Sequence, residues 1–325
     1  MKAVEPVRTR PRGWIVLRAV GRRLARAGAV VLGAATLAFA ALQLLPGDPV
    51  AVMLGPATTA SPQVREQIRA DFGFDEPVPV RYLHYLGDLV TGDLGRSYQL
   101  QQPVTTLIGE QLWPTVQLVA ASVTLAVVIA VVSAVVTAGR RSALRAVVTL
   151  LELVALSTPQ FWLGIVLLTV FSFRLNLFPV AGAQDLRALV LPAVTLALPV
   201  AGVLAQVLRE GIETALEQPF VVAARARGRS RIGVRLRHAV RHAAAPLLTL
   251  TGWVTGSLLG GAVLVETVFG RPGLGSLVLQ AVASRDMPVV LGVVLLTATV
   301  VAVVFILVDL VQLALDPRLR TAAAL

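Results

Sequence analysis

Few residues in this chain are equipped for chemistry, and the spacing of those few argues against catalysis. His238 and His242 are four apart, which puts two imidazoles on one helical face and could hold a metal. Arg235, Arg237 and Arg241 surround the pair and no Glu or Cys stands near. Cations repel a metal ion, so the pair reads as part of a surface helix. Gly270-Arg271-Pro272-Gly273-Leu274-Gly275 is glycine-rich, but no strand precedes it. It reads as a tight turn entering a short amphipathic helix rather than a nucleotide cradle. Glu152 is an acid in an apolar run, a functional candidate by default. It lies only seven residues past Arg145, about 10 Å along a helix, so we read it as reaching the interface.

The absences are as informative. There is no cysteine, which excludes disulfides, thiolate nucleophiles and Cys-based metal sites. Of the 29 Lys and Arg residues only Lys2 is a lysine, and it stands in an N-terminal tail. A phosphate-binding GxxxxGK[ST] loop and a Ser-Lys pair both need a lysine elsewhere. HExxH and GxSxG are missing too, so catalysis by this chain is not expected. If ATP drives it, another chain performs the hydrolysis.

The most unusual stretch is Gln218 to Pro246. It carries Arg225, Arg227, Arg229, Arg231, Arg235, Arg237 and Arg241 and no acid, between uncharged apolar runs at 188–208 and 243–265. Each run exceeds 20 residues, enough to cross a hydrocarbon core of roughly 30 Å at about 1.5 Å per residue. A basic loop between two spans belongs on the cytoplasmic side. Phe220, Ala223, Ala224 and Arg227 follow i, i+3, i+4, i+7 spacing and so share one helical face. Gly228 stops that helix as a C′ glycine would, and Pro246 is placed to open the next membrane helix. The spacing predicts a short helix displayed beneath the membrane.

Composition sets the elements that position this loop. The chain has 325 residues, 56% of them hydrophobic and 14% charged, with a mean hydropathy of +0.78. Soluble domains are about 25% charged, so this is a membrane protein. A basic tail (1–26) precedes the first span (27–45). Ala38-Phe39-Ala40 resembles a signal cleavage site, but the apolar stretch is too long for a signal core, and we read it as a retained span. Residues 46–114 mix acids with arginines and read as a small insertion outside the membrane, too small for an independent domain. Within it Ser61-Pro62 opens one helix and Asp71-Phe72-Gly73 ends it. Pro77 and Pro79 are expected to keep the next piece extended before a helix at 81–89. Five further spans follow in 115–312: 113–139, 146–173 with a break at Ser157-Thr158-Pro159-Gln160, 188–208 with kinks at Pro192 and Pro199, 243–265, and 287–308. The basic loop occupies 210–245, an outside segment 266–286, and a cytoplasmic tail 313–325.

Counted on this topology, 21 of the 29 basic residues are inside and 8 outside, which places both termini in the cytoplasm. The net charge of +11 is then mostly topology and no footprint for nucleic acid. Gly252, Gly256 and Gly260 form a small-xxx-small row for close helix approach, either within the chain or against another subunit. Thr251 and Thr255, with Ser157, Thr158 and Gln160, are candidates to line a path for a polar solute; membrane hydroxyls also bond their own backbone.

In order along almost the whole chain, several segments carry a resemblance. They are Leu45-Pro46-Gly47-Asp48-Pro49, Gly92-Asp93-Leu94-Gly95-Arg96-Ser97, Ser157 to Trp162, Phe220 to Gly228 with Arg237-His238, Val265-Glu266-Thr267-Val268-Phe269, Pro272-Gly273-Leu274-Gly275, Arg285-Asp286 and Asp316-Pro317-Arg318. The chain resembles the permease subunits of bacterial ABC importers, specifically the first permease of the oligopeptide/dipeptide/nickel group. The resemblance implies an all-α type I importer permease of six transmembrane helices in the bacterial plasma (inner) membrane. It implies a homologous second permease, two ATPase chains (or a fused pair) that bind ATP and Mg, and an extracytoplasmic substrate-binding protein. No cofactor is implied on this chain. In that family an "EAA…G" pattern forms a helix docked on the ATPase. Here Phe220, Val221, Val222, Ala223, Ala224, Arg225, Ala226, Arg227 and Gly228 occupy it, with Val222 at the glutamate position. Asp93, Arg96, Arg271 and Asp286, in the two outer segments, are the expected contacts of the binding protein. Oligopeptides are the first expectation for the solute, then dipeptides or nickel complexes. The rival class is a self-sufficient ion-coupled carrier, which would keep ionisable groups at mid-membrane. A non-transporting receptor would leave the cytoplasmic helix without a task.

Overall fold

A computed structural model describes residues 12–44, 48–54, 61–71, 73–139 and 143–315. The Leu45-Pro46-Gly47 motif, Arg140 and Arg141, and the closing Asp316-Pro317-Arg318 lie outside the described residues. Helices dominate: α1 (Arg12–Gln43), α2 (Pro49–Leu54), α3 (Pro62–Asp71), α4 (Val78–Thr91), α5 (Val104–Thr137), α6 (Ala143–Ser157) and α7 (Gln160–Leu167), which a π-helical segment extends to Arg174. There follow α8 (Arg187–Leu216), α9 (Pro219–Ala226), α10 (Arg231–Val234), a π-helical segment to Ala239, α11 (Val240–Val268), α12 (Leu274–Ala283) and α13 (Met287–Leu315).

Five of these are long and apolar enough to cross a membrane: parts of α1 and α11, all of α5 and α8, and most of α13. The expected third span is instead two helices, α6 and α7, bent by 109° at Ser157–Pro159. Proline removes one helical N–H and clashes with the preceding turn, and Pro159 caps α7 in an extended conformation. Each arm alone is about 22 Å long, short of a bilayer core, so the pair counts as one span only if taken together.

The core is a seam between α5 and α8 with α11 against α8. Ala126, Ala130 and Ala134 recur every four residues on α5, as do Ala193, Ala197, Ala201 and Ala205 on α8, all at most 5% exposed. Without large side chains the backbones approach, and van der Waals contact replaces the hydrophobic drive that lipid cannot supply. Gly211 meets Ala243 so closely that a Cβ there would lie 2.7 Å from the alanine methyl. α1 lies outside this core along α13, tied to it by Arg23 Nε and Asp309 Oδ2 at 3.1 Å.

Several boundaries differ from expectation, among them the end of α8, which runs on to Leu216 rather than stopping at 208. α4 starts at Val78, and Pro79 sits in its first turn, where its missing N–H costs nothing, rather than in an extended strand. α5 begins at Val104, well before residue 113, and keeps Pro114 inside it. Pro246 lies within α11 rather than at its start, because α10 and the π-helical segment feed continuously into that helix. The glycine row divides: Gly252 and Gly256 face Val308 and Val301 of α13, while nothing lies within 4 Å of a Cβ on Gly260.

Candidate functional site

Three polar regions interrupt the apolar bundle. The first is α9 with its flanks, at the loop end of the molecule. Gln218 is extended, Pro219 takes the first helical position, and the helix stops at Gly228 with φ +77°. The Arg229 N–H bonds the Ala224 carbonyl at 3.3 Å and the Gly228 N–H bonds that of Arg225 at 2.9 Å, a Schellman arrangement that glycine's freedom permits. Val221 and Ala224 are buried with Phe220 against Val234 and Leu216, whereas Ala223 and Arg227 are exposed. Phe220 also stacks on His242 at 4.8 Å between ring centroids. The opposite face therefore presents Val222, Ala223 and Ala226, small and apolar, with Val222 72% exposed and Arg225 and Arg227 at its margins. Arg235 is turned inward, only 5% exposed, and donates to the Val135 carbonyl at 3.0 Å.

The second region was not anticipated. Glu152 does not reach an interface: it is 8% exposed and paired with Arg209 of α8, which is 5% exposed. The Arg209 guanidinium gives Nε to Thr137 Oγ1 at 2.8 Å, Nη1 to Thr149 Oγ1 at 3.2 Å and Nη2 to Ser133 Oγ at 3.3 Å. Ser133 Oγ in turn donates to Glu152 Oε1. One guanidinium thus joins α5, α6 and α8. A turn further out, Arg145 makes a forked pair with Glu213 at 2.7 and 3.3 Å, and Glu213 also accepts from the Gly139 N–H. Sequence reasoning singled out Glu152 but not Arg209. The signal that could have placed it is its stripe, since Gly202, Gln206 and Arg209 share a face of α8 and Ser133 and Thr137 share one of α5.

The third region is at the insertion end. Glu266 of α11 is fully buried and accepts from Thr115 Oγ1 at 2.5 Å and from the Gly275 and Ser276 N–H groups at 2.8 and 3.1 Å. It thereby caps α12, whose first turn offers free N–H groups and a positive dipole end. Leu274 N–H donates to Thr115 Oγ1 at 2.8 Å, which closes the contact on α5. Glycines make this possible: a Cβ on Gly273 would lie 2.2 Å from Glu266 Oε1, and one on Gly275 2.4 Å from the Val263 Cα. Asp286, between α12 and α13, holds the insertion. It accepts from Ser97 Oγ and from the N–H groups of Tyr98 and Gln99 at 3.0 and 3.3 Å.

This placement corrects two expected surface residues. Arg271 and Asp286 are each 2% exposed, because one is packed against Pro114 and Gln117 of α5 and the other is enclosed by the 97–99 turn. Neither can touch a docked protein in this conformation. Asp93 and Arg96 are exposed on the same turn. Burial lowers the Arg271 pKa, opposed by the nearby Glu266; burial also raises the Tyr98 phenol to about 12. Of the expected path residues, Thr158, Thr251 and Thr255 donate their hydroxyls to the carbonyls four residues back at 2.6–2.7 Å. Ser157 is exposed at the bend, and Gln160 reaches into the notch left by Gly261. Among the described residues no cluster of His, Asp and Glu could hold a metal.

Comparison with known proteins accounts for this arrangement. Residues 126–321 match the family of binding-protein-dependent transport system inner membrane components, and 16–119 match its N-terminal companion family. A putative peptide transport system permease protein of Brucella abortus (strain 2308) is 37% identical over 308 residues, covering 92% of this chain and 98% of that one. The glutathione transport system permease protein GsiC of Salmonella choleraesuis (strain SC-B67) is 34% identical over 306 residues, covering 94% and 99%. Among solved structures, the inward-facing MetNI methionine ABC transporter shares the fold, with a TM-score of 0.53 at 18% identity over 65% of this chain and 97% of that one. The chain therefore belongs to the binding-protein-dependent transport inner membrane components: it is a permease subunit of a bacterial ABC importer of the peptide/nickel type, and in this family ATP hydrolysis resides on partner subunits.

Proposed function

We propose that this chain forms half of the translocation pore of a peptide importer, with oligopeptides as its solutes, and that α9 is the helix through which partner ATPases drive it. The observation that carries the reading is the outward face of α9. Val222, Ala223 and Ala226 offer a shallow apolar surface on a helix fixed from behind by Val221 and Ala224. Small side chains suit a helix pressed into a groove of a partner, and the flanking arginines can steer an acidic surface onto it. The peptide transport name of the Brucella relative and the glutathione transport name of the Salmonella relative support the solute class; dipeptides and nickel complexes are the alternative cargoes.

In this reading six spans, counting α6 with α7 as one, cross the bacterial inner membrane with both termini in the cytoplasm. A homologous second permease completes the pore, and two ATPase subunits carrying ATP and Mg sit below α9 and its counterpart. A substrate-binding protein delivers solute to the insertion end, where Asp93 and Arg96 are available to it. ATP binding closes the ATPase pair, draws the two α9 helices together and turns the pore outward. Purification of the tagged chain from its membrane in mild detergent tests this. Two ATPase chains and a second permease are expected alongside it. A lone chain that transports in vesicles without ATP would mean an ion-coupled carrier.

A further inference from the structure

α6 buries few of its side chains against the rest of this chain. Among its residues Glu152 is the one that is buried, while Leu150, Leu151, Leu153 and Val154 are all at least 50% exposed on this chain. It is also cut off from α7 by the 109° bend, so α7 cannot hold it in line. Against α8 it combines a close approach of the Glu152 carbonyl and Leu156 to Gly202 with two ion pairs, Arg209–Glu152 and, nearer the loop end, Arg145–Glu213. A buried ion pair is an expensive way to join two helices, since apolar residues of similar volume usually serve stability as well or better. Inside a membrane such a pair marks function by default. Nor is the carboxylate fully used: among the described residues Glu152 Oε2 is buried without a hydrogen-bond partner, as is Gln206 Nε2 on the same stripe of α8. Arg209 stands on α8 ten residues before Pro219 opens α9, so a displacement of α9 carried along α8 reaches Glu213 and, one turn further, this guanidinium.

We propose that the Arg209–Glu152 pair is a strut that locks α6 to α5 and α8, so that displacement of α9 moves the bent α6–α7 unit instead of being lost as sliding between helices. The proposal rests on the coupling role proposed for α9. Arg209 and Glu152 are positioning residues here, and they touch neither solute nor nucleotide. Hydroxyls at Ser133, Thr137 and Thr149 hold the guanidinium in register, which makes the joint directional rather than a loose attraction between charges.

The absence of native cysteine permits a direct test. Spin labels are placed on Leu151→Cys in α6 and Arg229→Cys beside α9, both exposed, in the purified complex with its ATPases. Their separation is measured without nucleotide and after trapping with ATP, Mg and vanadate. With the strut intact the two labels travel together, and the separation changes by less than about 2 Å; in E152Q it changes by about a helical turn, 5 Å or more. The charge-swapped E152R/R209E restores the wild-type behaviour, which mere packing would not. If E152Q fails to assemble, E152L/R209M removes both charges, and the same loosening is expected of it. A wild-type separation in E152Q, a swap as loose as the single variant, or failure of both E152Q and E152L/R209M to assemble each overturns the strut. Co-purification keeps the two readings apart. Wild-type chain that brings no ATPase overturns both, while ATPase present with E152Q behaving as wild type overturns the strut alone.

Discussion

The two ends of the bundle are held by opposite kinds of polar contact. At the insertion end, the carboxylates of Glu266 and Asp286 are received largely by backbone N–H groups, of Gly275 and Ser276 in one case and of Tyr98 and Gln99 in the other. At the loop end, Arg209 and Arg145 meet carboxylates and hydroxyls carried on side chains. Backbone donors cannot rotate away, and the glycines beside Glu266 leave no room for a second arrangement. Side-chain pairs can lengthen, exchange and re-form. The insertion end is therefore suited to keep one geometry, and on the proposed strut the loop end carries load between helices that move.

Substitution tests the contrast in order of size. Gly275→Val forces a Cβ against the Val263 backbone, and we expect it to cost at least about 3 kcal/mol and to abolish the folded protein in detergent, read by size-exclusion chromatography. Normal yield would mean that α12 is free to shift, against the fixed geometry. Glu266→Ala leaves the first turn of α12 and Thr115 without their acceptor, at about 2–4 kcal/mol, read as lowered thermal stability. Gln at the same position should recover part of this, because it keeps one acceptor oxygen.

Asp286→Ala releases the 97–99 turn while the helices stay folded, so trypsin should cut after exposed Arg96 about tenfold faster than in wild type. An unchanged cleavage rate would show that the turn is held by something else. The smallest effect is alkaline. Tyr98 is raised to about 12 by burial, above its ordinary value near 10, so folding favours the neutral phenol. That contribution is complete below about pH 10 and is lost as pH rises from there towards 12. Tyr98→Phe should flatten this part of the stability profile.

What the sequence made legible was whatever depends on neighbours in the chain. The long apolar runs marked six spans, of which five are single long helices and the third is the bent α6–α7 pair, and Gly228 marked the end of α9. Pro159 announced a break, although not one of 109°, because the angle is set by what α6 and α7 pack against. Periodicity did not say which face of α9 packs inward, since Val221 and Phe220 find their partners, Val234 and His242, across a turn that it does not register. Glu152 and Arg209 lie 57 residues apart and meet only once α6 and α8 are laid side by side. Arg271 and Asp286 have the composition of surface residues, and their burial follows from how α12 folds back on α5 and the insertion.

The central claim is that α9 is the face on which the ATPases act. Its most direct test is a single cysteine at exposed Ala226 in this otherwise cysteine-free chain, cross-linked in native membranes with a short thiol-to-amine reagent. The account predicts a product joining this chain to an ATPase subunit, with a yield that changes when ATP and vanadate are added. A cysteine that reacts freely with soluble maleimide in the working complex, and never cross-links to an ATPase, would contradict it.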